Sequence, residues 1–242
     1  MEPEQQAARD ILAMTDELCI PRHEYVSANL REFKHLSFGF YERTQRILEK
    51  EGFLWLGDEE NLTISQSSGG VRTVIRAMLD REGIIQAGIY HFRPKLLVRI
   101  LLRLAGGGSC KIIDFETEFS NGHFVTTSNA NAASAIKDPK ELHTMYMSTK
   151  TPALVLLARH RQLIEAYQEQ NTAVRPKVMR SLHDIRESQH RQQAMKSAYR
   201  KEVGGITQDE LRRLSRGNTE LTDRIFEEMT NVRADNADEG EE

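Results

Sequence analysis

The run Lys111-Ile112-Ile113-Asp114-Phe115-Glu116-Thr117-Glu118-Phe119-Ser120-Asn121-Gly122-His123-Phe124-Val125-Thr126-Thr127-Ser128-Asn129 alternates apolar and polar residues on both sides of an Asn-Gly pair. Alternation with a period of two marks a half-buried strand, and Asn-Gly between two such runs is the strongest short hairpin signal. The pattern predicts antiparallel strands over 111–119 and 123–129. With a two-residue turn at Asn121-Gly122, Phe119 meets Phe124, Thr117 meets Thr126, and Phe115 meets Ser128; with Ile113 these form a core face. The opposite face carries Asp114, Glu116 and Glu118 beside Asn129, Thr127 and Val125, and Ser120 and His123 flank the turn. A register shift of one would bury the acids and expose the phenylalanines.

Upstream, residues 73–79 and 84–92 read as a second hairpin around Asp80-Arg81-Glu82-Gly83, with Asp opening a type I turn and Gly at its left-handed position. The expected pairs are Leu79 with Ile85, Ala77 with Ala87, and Ile75 with Ile89. Phe53-Leu54-Trp55-Leu56 is a further short strand leading into Gly57–Asn61, and residues 65–70 are polar and glycine-rich, as in a loop. The expected fold class is α+β: a small antiparallel β-meander of about five strands and two hairpins, packed with long amphipathic helices and followed by a helical C-terminal extension.

The helices announce themselves by a 3.6-residue period. Ala8, Ile11, Leu12 and Leu18 mark one over 4–19, ended by Pro21. Val26, Leu30, Phe33, Phe40 and Ile47 mark a second over 23–51, with Gly52 at its C-cap position. Pro94 opens and Gly106 closes a short apolar helix over 94–105, between the hairpins. Asp138-Pro139-Lys140-Glu141 has the order of a capping box. Thr151-Pro152 opens a helix over 153–170, expected to lay Leu154, Leu157, Ile164 and Tyr167 on the sheet. From 175 to 203 the seam weakens: Val178, Leu182 and Ile185 are followed in line by Gln189, Gln192 and Lys196. Thr207-Gln208-Asp209-Glu210 is another capping box, and starts a heptad-like series of Leu211, Leu214, Leu221, Ile225 and Met229. The expected organisation is an α+β body over 1–172, a helical extension over 173–233 and a disordered acidic tail over 234–242.

Composition narrows the class. The 242 residues are 39% hydrophobic and 29% charged, which suits a globular core, and the net charge of −3 gives no general attraction to nucleic acid. Two cysteines, Cys19 and Cys110, are too few for a disulfide framework and suit a reducing, cytoplasmic setting. The acidic start Met1-Glu2-Pro3-Glu4 does not read as a secretory signal, and the longest apolar stretch, 96–105, is about half of what a bilayer requires. A soluble protein is expected.

Three constellations could carry chemistry. The first is the acidic strand face. Alternate strand residues lie about 6.8 Å apart, so Asp114, Glu116 and Glu118 form a row able to offer oxygen ligands to a divalent metal, with His123 as a nearby base and Asn129 as a further polar neighbour; the competing account is a solvated sheet face. The second is a pair of Glu-x-x-His sequences, Glu32–His35 and Glu187–His190. Helical arithmetic turns both away from their apolar seams, leaving His183, Glu187 and His190 as a surface trio. The third is the basic segment 175–201, whose cations are spread around the helix and diluted by acids. No P-loop, dinucleotide fingerprint, nucleophile elbow or zinc-protease motif occurs.

The primary expectation is therefore a non-enzymatic interaction or scaffold protein. Its C-terminal helices would contact a protein partner or a second copy, with no cofactor and no specific nucleic acid. One alternative is a metal-dependent hydrolase or small-ligand-binding protein using the acidic face of 111–119. Another is peripheral membrane contact through 94–105, where Leu97, Arg99, Leu101 and Arg103 sit as on an interfacial helix.

Overall fold

The computed structural model describes residues 3–67, 72–91, 111–130, 135–214 and 219–238. Its centre is a seven-stranded sheet in sequential order: β1 (Tyr25–Ser27), β2 (Leu54–Asn61), β3 (Val74–Leu79), β4 (Gln86–His91), β5 (Lys111–Glu118), β6 (Phe124–Ser128) and β7 (Leu142–Tyr146). Neighbours are antiparallel except β6 and β7, which run parallel. The α+β class stands, but the sheet is mixed and has seven strands rather than about five antiparallel ones. The two strands not anticipated are the edges: β1 is only three residues long, and β7, whose residues do not alternate in burial, follows Asp138–Glu141, which has the order of a helix capping box.

Around the sheet lie α1 (Pro3–Leu18), α2 (Phe38–Lys50), α3 (Leu62–Ser67), α4 (Ala153–Gln170), α5 (Leu182–Glu202), α6 (Gln208–Leu214) and α7 (Thr219–Asp238). The helix expected over 23–51 exists only in its second half. Asn29 accepts a hydrogen bond from the Arg31 N–H at 3.1 Å and caps a 3-10 turn over Leu30–Glu32, which hands the chain from β1 to α2. Leu30, Phe33 and Leu36 still reach the core, so the apolar spacing was real but not helical. Residues 62–67, partly read as loop, form α3. The apolar segment 94–105 lies outside the described residues, as does Cys110.

Both hairpins keep their strands but pair one residue out of the expected register. In the second, the Phe119 N–H donates to the His123 carbonyl at 2.8 Å and the Gly122 N–H to the Phe119 carbonyl at 2.9 Å. Ser120, Asn121 and Gly122 thus make a three-residue loop, with Gly122 at φ +83°. Glu118 then opposes Phe124, and Glu116 opposes Thr126. In the first, the Asp80 carboxylate accepts from the N–H groups of Ile84 at 2.8 Å and Ile85 at 3.0 Å, drawing both into the turn. Ala77 then opposes Gly88, and Ile75 opposes Tyr90.

These slips decide what each face holds. One face carries Val74, Met78, Ala87, Ile89, Ile113 and Phe115 against α2 and α4. Helix α4 lays Leu156, Leu157, His160, Ile164 and Tyr167 on this core, whereas Leu154 is 46% exposed, contrary to its expected packing. Val125 and Thr127 also belong to this side, not to the acidic face. The Thr127 hydroxyl lies 3.1 Å from His160 Nδ1, and the Thr117 hydroxyl 3.1 Å from Nε2. Because Thr117 donates to the Ile84 carbonyl, it accepts from Nε2–H, and Nδ1 accepts from Thr127. Burial alone depresses this imidazole to a pKa of about 3, so it is neutral.

The other face carries Ala77, Leu79, Gly88, Tyr90, Gln86 and the acids of β5. Residues 182–202, read as part of an extension, cross this face as α5. Asp58, Glu59 and Glu60 sit within β2 and are 8%, 2% and 3% exposed. Each is held by its own arginine: Arg76 on Asp58, Arg186 on Glu59 and Arg72 on Glu60. Pairing of this kind offsets the cost of burying a carboxylate.

A second, smaller cluster joins α1 to α6 and α7 through Ala8, Ile206, Leu211 and Met229, with Ile11, Leu12, Ile225 and Phe226 beside them. The capping box at Thr207 forms as expected: the Thr207 N–H donates to Glu210 Oε2 at 2.8 Å and the Glu210 N–H to the Thr207 hydroxyl at 3.3 Å. The last helix continues through Asp238, into the segment expected to be disordered.

Candidate functional site

Helix α5 begins at Ser181, whose hydroxyl accepts the Asp184 N–H at 3.2 Å. From there it is tied down along its length. Arg191 grips Glu118 through Nε at 2.8 Å and Nη2 at 2.7 Å, and Lys177 reaches the same carboxylate. Arg186 pairs with Glu59, His190 Nε2 lies 2.9 Å from the His23 carbonyl, and the Ser197 hydroxyl donates to the Cys19 carbonyl at 2.6 Å. Arg200 closes the far end, donating to both Glu210 oxygens at 2.9 Å.

Apolar packing under this helix is confined to its start, where Ile185 and Leu182 meet Ala77, Leu79 and Met179. Further along, the seam facing the sheet is Gln189, Gln192, Gln193 and Lys196, and the sheet opposite offers Tyr90, Asp114, Glu116 and Gln86. These side chains meet where Gln192 reaches Glu116 and leave space beside that contact. They line a half-open cavity of about 340 Å³, whose remaining wall joins the apolar Ile64, Ile75, Ala77, Ile112 and Ile185 to the polar His23, Tyr25, Asn61 and Thr73. The row of acids is thus neither solvated nor packed dry. It lies beneath a helix with space between.

The polar groups are oriented. The Tyr90 hydroxyl donates to Asp114 Oδ2 at 2.6 Å, and Gln86 Nε2 donates to Glu116 Oε2 at 2.8 Å. Gln192 Nε2 donates to Glu116 Oε1 at 3.2 Å. Those bonds fix the Gln86 amide so that its Oε1 is left without a partner, and Gln86 is only 4% exposed. Gln189 Oε1 and His23 Nε2 are likewise buried and unpartnered. Asp114 Oδ1 has Ser128 beside it, but no hydrogen bond of ordinary length and angle reaches it. The His23 tautomer follows from its neighbour. Asn61 accepts the Ile64 N–H through Oδ1 at 3.1 Å, so its Nδ2 donates to His23 Nδ1 at 2.9 Å, and the unpartnered Nε2 carries the proton.

Burial raises the Asp114 carboxyl above its ordinary value, opposed by Ser128, Tyr90 and the Lys196 ammonium. Burial also raises Glu116; Lys196 opposes it, while the nearby Asp114 charge adds to it. The Tyr90 phenol is pushed far up by burial and by Asp114, so it remains a donor. The His23 imidazole is lowered by burial and by His190 and Lys196.

The other expected site residues lie elsewhere. Glu118 is fully buried and committed to Arg191 and Lys177; the expected row of three therefore divides into two cavity carboxyls and one anchor. His123 does not join the acids. It stacks on His143 at the sheet edge, with Nδ1 3.2 Å from the partner's Nε2, and faces Tyr167. Asn129 is a clip on the core side: its Oδ1 accepts the Ile113 N–H at 2.8 Å and its Nδ2 donates to the Lys111 carbonyl at 3.2 Å. Glu187 and His190 touch at 3.3 Å, but His35 binds the Arg72 carbonyl instead of Glu32. Among the described residues no group of three or more side chains could hold a metal ion. Leu97, Arg99, Leu101 and Arg103 lie outside the described residues, and no described helix is long and apolar enough to cross a membrane.

Sequence reasoning missed Gln86, Tyr90, His23, Gln189, Gln192 and Lys196 as site residues. The signal for the last three was present in the polar run that continues the Ile185 seam. A polar seam on a helix pinned at both ends must face either solvent or a polar site. No family model, curated protein or solved structure shows significant similarity to this chain.

Proposed function

We propose that this protein binds a small molecule in the cavity between α5 and the β4–β5 face. The observation that carries the reading is Gln86: a 4%-exposed residue on the cavity wall whose amide is oriented by Glu116 and whose carbonyl oxygen has no hydrogen-bond partner. Leaving such a group unpaired costs about 1–3 kcal/mol, and Gln189 and His23 repeat the cost on other walls. Apolar walls with a few convergent polar groups of perturbed pKa are the usual make-up of a small-molecule site. Nothing in the arrangement pairs a nucleophile with a base, so the reading is of binding rather than covalent catalysis.

The scaffold reading is less well supported, because the heptad-like residues Leu211, Ile225 and Met229 pack against α1 within the same chain. Gly88 supplies the control that separates a site from a packing defect. It lines the cavity, and a Cβ placed there meets only Ile75 Cγ2, at 3.9 Å. Gly88→Leu should fill the space without strain on the backbone. A thermal-shift screen of small amines, acids, sugars and nucleosides should find compounds that raise the wild-type melting temperature and leave Gly88→Leu unmoved. A screen in which every compound shifts both proteins alike would refute the reading.

A further inference from the structure

Among the residues lining the cavity, the charged ones are Asp114, Glu116 and Lys196. With both carboxyls ionised, two negative charges face one ammonium, an excess of one, and no ion pair within 4 Å joins Lys196 to either carboxyl among the described residues. The unpartnered cavity atoms point the same way. Gln86 Oε1, Gln189 Oε1 and Asp114 Oδ1 are acceptors, against one buried unpartnered donor, His23 Nε2–H, with the Lys196 ammonium as the other donor on the wall. Ile64, Ile75, Ala77, Ile112 and Ile185 supply an apolar part of the wall beside these groups. Counting about 30 Å³ for each water-sized group, the 340 Å³ cavity holds roughly ten heavy atoms.

We infer that the ligand is a small organic monocation, an ammonium group on an apolar body of about that size, with its N–H donors directed at the Asp114, Glu116 and Gln86 oxygens. This rests on the binding reading above and adds the chemical class. A buried excess charge is costly unless a counter-charge accompanies it, so an ammonium complements the site where a neutral alcohol satisfies only the acceptors and a carboxylate adds repulsion. A hydrated divalent metal is a poorer occupant, because Lys196 stands beside the acids and repels a double charge more than a single one. Glu118 cannot assist, being saturated by Arg191 and Lys177.

Three compounds of one shape separate the possibilities: 2-phenylethylamine, 2-phenylethanol and 3-phenylpropionate. The amine, like a lysine side chain, is protonated at neutral pH. The assay is thermal shift followed by equilibrium titration at pH 7 in low salt. The amine is expected to bind at least roughly tenfold more tightly than the alcohol, with no response to the acid. Asp114→Asn with Glu116→Gln preserves acceptors for Tyr90 and Gln86, and should abolish the preference for the amine over the alcohol. Should that double variant fail to fold, Lys196→Met provides the converse test, since removing the competing cation should tighten amine binding.

Equal binding of amine and alcohol, or a preference for the acid, would overturn the cation assignment while leaving the cavity as a binding site. Absence of any response to the three compounds would also overturn it. The library screen against Gly88→Leu then decides the fate of the cavity reading separately.

Discussion

Glu118 fastens α5 to the sheet, and replacing it by glutamine is the sharpest test of that anchoring. The carboxylate is fully buried and accepts three charge-assisted bonds, one from Lys177 and two from Arg191. Hydrogen bonds to charged groups are each worth about 1.5–3 kcal/mol. Glutamine keeps one carbonyl acceptor, and the lysine and arginine side chains are 39% and 46% exposed, so both can turn to water. The expected net loss is therefore about 2–3 kcal/mol, or roughly 5–10 °C in melting temperature for a chain of this size. Urea unfolding followed by far-ultraviolet circular dichroism measures it.

A pH arm checks the mechanism behind that number. Burial by itself raises the Glu118 carboxyl, but Arg191 and Lys177 outweigh it and hold the pKa below the ordinary 4.5. A depressed folded-state pKa contributes stability that is present above the unfolded value and lost as pH falls through the folded one. The gap between wild type and Glu118→Gln should accordingly be full at pH 7 and shrink below about pH 4.5. A difference under about 0.5 kcal/mol at pH 7, or one that does not vary with pH, would refute the anchoring role.

Two glycines at positive φ should respond unequally. Gly83→Ala would place its Cβ 2.3 Å from the Met179 carbonyl oxygen, whereas nothing lies within 4 Å of a Cβ at Gly122; denaturant titration should find Gly83→Ala the more destabilising, with Gly122→Val costing roughly 1 kcal/mol or more. Burial alone would raise Glu210, but Arg200 and the N–H groups of Thr207 and Lys137 bring it down to about 2. Its pairing with Arg200 should thus stabilise fully above pH 4.5 and fade as pH falls toward 2, and Glu210→Gln should cost about 3 kcal/mol at pH 7 and less at pH 3. Millimolar Mg²⁺, Ca²⁺ or Mn²⁺ should leave the wild-type melting temperature unchanged; a rise abolished by Asp114→Asn would show that the acids hold a metal.

How far the residue order foretold these features depended on how local their causes were. Alternation in 111–119 placed the acids on one side of β5 and the phenylalanines on the other, and the Thr207 capping box formed as written. Turn length was not legible, because it depends on the Asp80 side chain reaching Ile84 and Ile85 and on one extra residue before Gly122. The slips left the faces of β4 and β5 as their alternation gave them and reversed those of β3 and β6, so that Ala77 and Leu79 lie on the side of the acids and Val125 on the core side. The burial of Asp58, Glu59 and Glu60 was hidden as well. Their arginines come from β3, from α5 and from the residues just before β3, and only the folded chain brings them together. The site lies where these non-local pairings meet: the polar continuation of the Ile185 seam covers the acidic face of β5.

The central claim is that this covered space is a binding site, and titration calorimetry on wild type and Gly88→Leu tests it most directly. With the strongest compound from the screen, the wild type should bind one molecule per chain. Gly88→Leu should show no binding heat while retaining the wild-type circular dichroism spectrum. Equal heats and equal affinities for the two proteins would place the compound outside the cavity and contradict the account.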